Sequence, residues 1–204
     1  SDNFQTPDDY DTPPFYSGFI RTLRYFSFVL SIFLPGVYVA IGTFHQELIP
    51  TSMLFTVARE EITTPYSLMT EALMLLILYE IMREAGLRLP KAVGHAVSII
   101  GGIVIGETTV SAGLIGAPML VVVALTAISS YVVSSLYESV SVLRFFFILI
   151  GGLTGMYGII LAASVLCMNL CAINPYGVPY CSPISPFDKK SLADLFYRQS
   201  WLKL

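Results

Sequence analysis

The segment YFSFVLSIFLPGVYVAIGTF, residues 25–44, is a run of twenty residues without a charged side chain. At about 1.5 Å per residue a helix of that length covers roughly 30 Å, the thickness of the hydrocarbon layer of a bilayer. Arg21 and Arg24 lead into it, and the acidic, proline-containing leader Ser1 to Pro14 lacks the basic start of a cleaved signal peptide. The segment is therefore expected to remain in the membrane as a first span. Pro35-Gly36 falls near its middle, where proline removes a backbone hydrogen bond and should bend the helix. A kink at Pro35 is tolerable in lipid only where neighbouring groups or water satisfy the freed carbonyl.

The rest of the chain has the same character. Of 204 residues, 55% are hydrophobic and only 12% charged, with a mean hydropathy of +0.73, whereas soluble domains carry roughly 25% charged residues. This composition excludes a water-soluble fold and leaves room for four or five membrane segments without a separate soluble domain. Three regions are expected: a polar leader at 1–20, a polytopic membrane domain at 21–173, and an amphipathic, basic C-terminal tail at 174–204. The net charge of -3 gives no nucleic-acid surface. Cys167, Cys171 and Cys181 match no zinc, haem or redox spacing and read as small apolar side chains. A first residue of Ser rather than Met fits a piece cut from something longer.

Residues 45–64 mix acidic, basic and apolar side chains, and Pro50-Thr51-Ser52 is placed to open a short interfacial helix. Thr64 and Pro65 then suit the cap and first position of another helix, which Gly86 should stop after Ala85. That helix holds Glu71 and Glu80, and charged groups at membrane depth cost about 2.5–3.5 kcal/mol each, so it must face protein or water. Residues 92–106 make only fifteen helical positions before Glu107, about 22 Å and too short to cross. Gly102 and Gly106 form a small-xxx-small pair there, and the segment is expected to be re-entrant, with Glu107-Thr108-Thr109 at its turn. Leu114 to Tyr137 reads as a span with Pro118 in its first turn. Phe145 to Ala172 reads as another, with Gly151 and Gly155 among the glycines that smooth one side.

Lys and Arg collect at 21–24, 83–91 and 189–203, and placing all three groups on the cytoplasmic side requires an even number of crossings. Four spans plus the re-entrant piece satisfy this; five spans would leave the basic tail outside. The expected architecture is thus an all-α integral membrane protein with about four transmembrane helices, a re-entrant or short helix, and interfacial helices.

Three phrases are more specific than hydropathy: PFYSGFIRTLRYFSFVLSIFLPGVYVAIGTFHQELIPTSMLFTVA at 14–58, EALMLLILYEIMREAGLRLP at 71–90, and VLRFFFILIGGLTGMYGIILAASVL followed by NPYGVPYCSPISP within 142–186. Together they resemble the membrane region of the GerA spore germination protein family over nearly the whole chain. TTPYS at 63–67 departs from the family phrase, which is closer to GVPFP, and the large soluble domain that precedes the first span in the family is absent from this sequence. The resemblance implies an A subunit of a nutrient germinant receptor in the inner membrane of bacterial endospores, working with B and C subunits, or a relative similar to stage V sporulation protein AF. It also implies a homo-oligomer that conducts monovalent cations, with both termini on the cytoplasmic, spore-core side.

Glu71 and Glu80 lie nine residues apart, on nearly opposite faces of one helix, so a single pore cannot easily see both. Glu80 is expected to pair with Arg83 and Glu84 with Arg88. Glu71, which has no basic partner within helical reach, is a pore-lining candidate together with Glu107, Thr108 and Thr109. His95 and His45 have no ligand companions at helical spacing, and no metal or other cofactor is implied. No phosphate loop, nucleophile elbow or catalytic carboxylate pair with a histidine base occurs, so an enzyme is not expected. The rival readings are a non-conducting scaffold and a secondary transporter, although no internal repeat of the transporter kind is visible.

Overall fold

The computed structural model describes Asp11, residues 13–174 and Cys181. Six α-helices run through residues 14–172: α1 Pro14–Phe44, α2 Thr51–Thr63, α3 Leu68–Arg88, α4 Lys91–Ser111, α5 Ala117–Val132 and α6 Tyr137–Ala172, with 3₁₀ turns at Gln46–Leu48 and Ser134–Leu136. No strand occurs among the described residues. The tail expected at 174–204 lies almost wholly outside them.

α1 contains the predicted span and extends it back to Pro14, so residues 14–20 are helix rather than leader. Proline suits the first helical position, where its missing N–H would have had no partner. The helix continues through Pro35. The short helix expected after Pro50 forms at Thr51–Thr63. α3 begins at Leu68, three residues later than Pro65, because Ser67 takes the extended cap conformation and its hydroxyl lies 3.1 Å from that of Thr70. Gly86 does not stop it. Helix α3 ends at Arg88, ahead of Leu89 and Pro90, since a residue before proline is pushed out of the helical region. Gly86 serves as a contact point instead: a Cβ on Gly94 would lie 2.5 Å from its carbonyl oxygen, which brings α3 and α4 together.

The turn expected at Glu107-Thr108-Thr109 within 92–113 does not occur. α4 runs without a break for 21 residues from Lys91 to Ser111, about 31 Å, and carries Glu107, Thr108 and Thr109 as helix, not as turn. Their hydroxyls bond to their own helix, Thr108 to the Val104 carbonyl and Thr109 to the Gly106 carbonyl, so these polar residues need no external partner to continue it. The stop comes at Gly113, whose φ is 65°. Its N–H bonds to the Val110 carbonyl at 3.0 Å and that of Leu114 to the Thr109 carbonyl at 3.0 Å, the pair of bonds that closes a Schellman motif. Gly113→Ala is expected to cost about 1 kcal/mol and Gly113→Asn much less, read as shifts in the unfolding midpoint of the purified chain.

Helix α5 is shorter than the predicted 114–137 span: Gly116 caps it in extended conformation, Pro118 sits in its first turn, and Val133 leaves helical geometry after 16 residues. α6 begins eight residues before Phe145 and contains one non-helical residue, Gly155, at φ 70° and ψ −158°. The chain turns sharply there. Ile159 Cδ1 lies 3.2 Å from where a Cβ of Gly151 would be, whereas residues eight apart in a straight helix are separated by about 12 Å along its axis. Among the described residues two helices, Phe15–Phe44 and Tyr137–Ala172, are long and apolar enough by length and composition to cross a membrane, the second counted through its turn at Gly155.

The core lies between α1, α3, α5 and α6. Val39, Leu75, Leu76, Met119 and Ile148 form one buried cluster; Ile32, Ala40, Val140, Phe147 and Ile159 form another between α1 and α6. Many large apolar side chains remain outside it, among them Phe26 and Val29 on α1, Val121, Leu125 and Ile128 on α5, and Leu153, Tyr157 and Ile160 on α6. In water such a surface would drive aggregation; acyl chains or partner helices can cover it.

Candidate functional site

Helix α3 sends Glu71 and Glu80 to different neighbours, as their spacing requires. Glu71, only 2% exposed, accepts the backbone N–H of Gly116 at 3.3 Å and so holds the start of α5, where the helix dipole favours a negative group. A small cleft beside it is also lined by Tyr38, Glu60 and Pro118. The pore-lining candidate Glu71 is thus inside the protomer, engaged with α5.

Glu80 faces α6. Both of its oxygens lie 2.8 Å from the Tyr137 hydroxyl, and Oε1 accepts the Ser141 hydroxyl at 2.6 Å. Arg144 Nη1 stands 3.9 Å from the same oxygen. The Glu80 side chain is 26% exposed and that of Arg144 is 0% exposed, so the pair joins a half-wet carboxylate to a sealed guanidinium. Arg144 Nε donates to the Ser31 carbonyl of α1 at 2.9 Å; its Nη1 and Nη2 make no hydrogen bond among the described residues. Arg83, expected to pair with Glu80, lies over the Tyr137 ring, with Cζ 3.1 Å from the centroid, a cation–π contact. Glu84 and Arg88 do form the expected pair at 2.7 Å, on the surface.

These contacts make a charged centre on which α1, α3 and α6 converge. Arg144 immediately precedes the span expected from Phe145 and is part of α6. Tyr137, Ser141 and Arg144 are spaced at i, i+4 and i+7, the period of one helix face, and that polar stripe was the signal available. Arg21, grouped with Arg24 as a flank of the first span, is itself fully buried on α1 together with Ser17.

The remaining candidates are placed apart from this centre. Glu107 and Thr108 are exposed near the end of α4 and Thr109 is half-buried. Gly106 is buried against Leu120 of α5, at 3.4 Å from its would-be Cβ, while Gly102 is exposed. Gly151 and Gly155 are both buried: the first meets Gly36 of α1, and the second is the turn of α6, with Phe44 and His45 packed against it. The side chain of His95 is outside the described ones. No group of three or more His, Cys, Asp or Glu side chains suited to a metal occurs among the described residues.

The chain matches the model of the Bacillus/Clostridium GerA spore germination protein family over residues 1–204. It is 41% identical over 200 residues to Spore germination protein KA of Bacillus subtilis (strain 168), covering 97% of this chain and 37% of the relative. It is 40% identical over 199 residues to the uncharacterized membrane protein YfkQ of the same organism, covering 97% and 39%. A third relative, Spore germination protein A1, is 35% identical over 196 residues, covering 95% and 41%. The chain thus spans about two fifths of the length of the curated relatives it matches. No solved structure matches it.

Proposed function

Because this chain belongs to the GerA spore germination protein family, we propose that it is the membrane part of an A subunit of a nutrient germinant receptor, and that copies of it assemble into a cation-conducting channel. In this reading its chemistry is conduction and gating, not catalysis. The observation that carries the reading is the placement of acidic and hydroxyl side chains on α4. Glu107 and Thr108 are exposed near the end of a helix about 31 Å long, and that helix leaves Ile99, Ile103 and Val104 uncovered. Several copies arranged about an axis would turn such carboxylates into a ring that attracts partly hydrated monovalent cations, while the apolar positions meet lipid or the next copy.

Glu71 contributes differently in this reading. Buried against Gly116, it holds α5 to α3 and so shapes the wall behind α4. Partner B and C subunits would take other parts of the exposed apolar surface. The inner membrane of the endospore, with both termini on the core side, is the location this role requires.

Reconstitution of the chain into vesicles tests the reading. Cation efflux is expected, reduced several-fold by Glu107→Gln with loss of cation over anion selectivity. Unchanged flux and selectivity in Glu107→Gln would remove Glu107 from the path, and the same result in combination with Glu71→Gln would remove the supporting role of Glu71. Oligomers that pass no ions under any condition would leave a scaffold that holds partner subunits. For orientation, a cysteine placed at 190 is expected to react with impermeant thiol reagents from the core side only.

A further inference from the structure

Pro35 has no N–H, so the carbonyl four residues earlier in α1, that of Ser31, loses its helical partner. The site is not one where water can substitute. Ser31 and Arg144 are both 0% exposed, Pro35 is buried, and Ser31 lies thirteen residues before the end of α1 at Phe44, roughly 20 Å along the axis. The donor that reaches this carbonyl is Arg144 Nε at 2.9 Å, from a residue 113 positions away in sequence. The same guanidinium presents Nη1 to Glu80 of α3.

We infer that Arg144 stands in for the amide Pro35 lacks and ties that point of α1 to Glu80, which makes it the positioning residue that sets α1, α3 and α6 against one another. Arginine suits the task better than lysine, because its planar fork directs donors two ways at once, toward a carbonyl on one side and a carboxylate on the other. An apolar replacement would fill the space yet leave a buried carbonyl without a donor and Glu80 without its counter-charge. Ser31 is spared from supplying the bond itself: its hydroxyl is donated to the Phe28 carbonyl at 2.8 Å. Only the consequence for conduction, that Arg144 holds α3 beside the proposed path, rests on the functional reading above; the pairing of Pro35 with Arg144 rests on geometry.

A double-mutant cycle on the purified full chain in detergent, followed by reversible SDS unfolding, tests the inference. Arg144→Met is expected to lower the folding equilibrium constant by about tenfold or more, the worth of a charge-assisted hydrogen bond. In a Pro35→Ala background, where the substitution restores an N–H to the Ser31 carbonyl, most of that loss should disappear. Pro118→Ala, a proline near the start of α5, should give no such rescue, and Glu80→Gln should relieve the part due to the unpaired carboxylate. If Arg144→Met alone yields no folded protein, recovery of folded protein with Pro35→Ala supports the pairing, and failure to recover it overturns the pairing. Equal losses in the two backgrounds would overturn it as well. Cation flux measured on the same preparations reads the channel proposal separately: a stable wild type without flux removes that proposal and leaves the cycle as it stands.

Discussion

Replacing Gly155 with alanine is expected to destabilise the folded chain by about 2–3 kcal/mol, the cost of forcing a side chain into a backbone region that essentially only glycine occupies. At φ 70° and ψ −158° the position lies outside the left-handed helical region that asparagine tolerates, so Gly155→Asn should be no milder. Gly113→Asn, by contrast, should be nearly neutral. A Cβ at 155 would also stand 3.1 Å from the Phe44 ring and 3.2 Å from His45 Cε1, and those two residues end α1 and would have to move. SDS titration followed by circular dichroism reads the loss. A penalty within the ordinary surface range of about 0.5 kcal/mol would mean that α6 passes position 155 as a continuous helix, and with it the packing of Ile159 beside Gly151 would be wrong.

Gly151→Val should be comparably severe, for a different reason. The backbone there is helical and unstrained, but a Cβ would meet the Gly36 carbonyl oxygen at 2.5 Å, and one on Gly36 would meet the Phe147 carbonyl oxygen at 2.8 Å. Backbone atoms in two packed helices cannot swing aside as a flexible side chain can, so α1 and α6 must separate. Overpacking of this kind costs about 1–3 kcal/mol, and valine, with two further methyls, belongs at the upper end. Separation would also lengthen the contact of Arg144 with Ser31, so the loss should be greater than the sum of its steric part. Gly106, buried against the end of the Leu120 side chain at 3.4 Å, is the control: a leucine terminus can move, and Gly106→Ala should cost much less. If both substitutions prove equally mild, α1 and α6 do not approach as closely as described.

Composition and periodicity were sufficient for the class of this molecule and for most of its helices. Charge-free runs and proline placement located α1, α2, the first turn of α5 and the far end of α6, because insertion in lipid and capping depend on local residues. Family phrases located its kin. Errors arose where a local rule was overruled by a neighbour. Gly86 does not end α3, since Gly94 of the adjacent helix needs that glycine as a contact. Glu107-Thr108-Thr109 continue α4, where the two threonine hydroxyls donate to carbonyls one turn back in the same helix. Glu80 leaves Arg83, only three helical positions away, for hydroxyls on α6.

The sequence by itself determined that Pro35 would free a carbonyl in the middle of a long apolar helix and that Glu71 and Glu80 would point apart, because both follow from covalent geometry and helical pitch. It could not determine which groups answer them. Arg144 meets the freed carbonyl, Gly116 meets Glu71, and Gly155 turns the last helix back only through the packing of segments far apart in the chain. Tertiary structure decided these, because a buried polar group is satisfied by whatever donor the fold brings within 3 Å or so of it, and sequence separation does not enter that requirement.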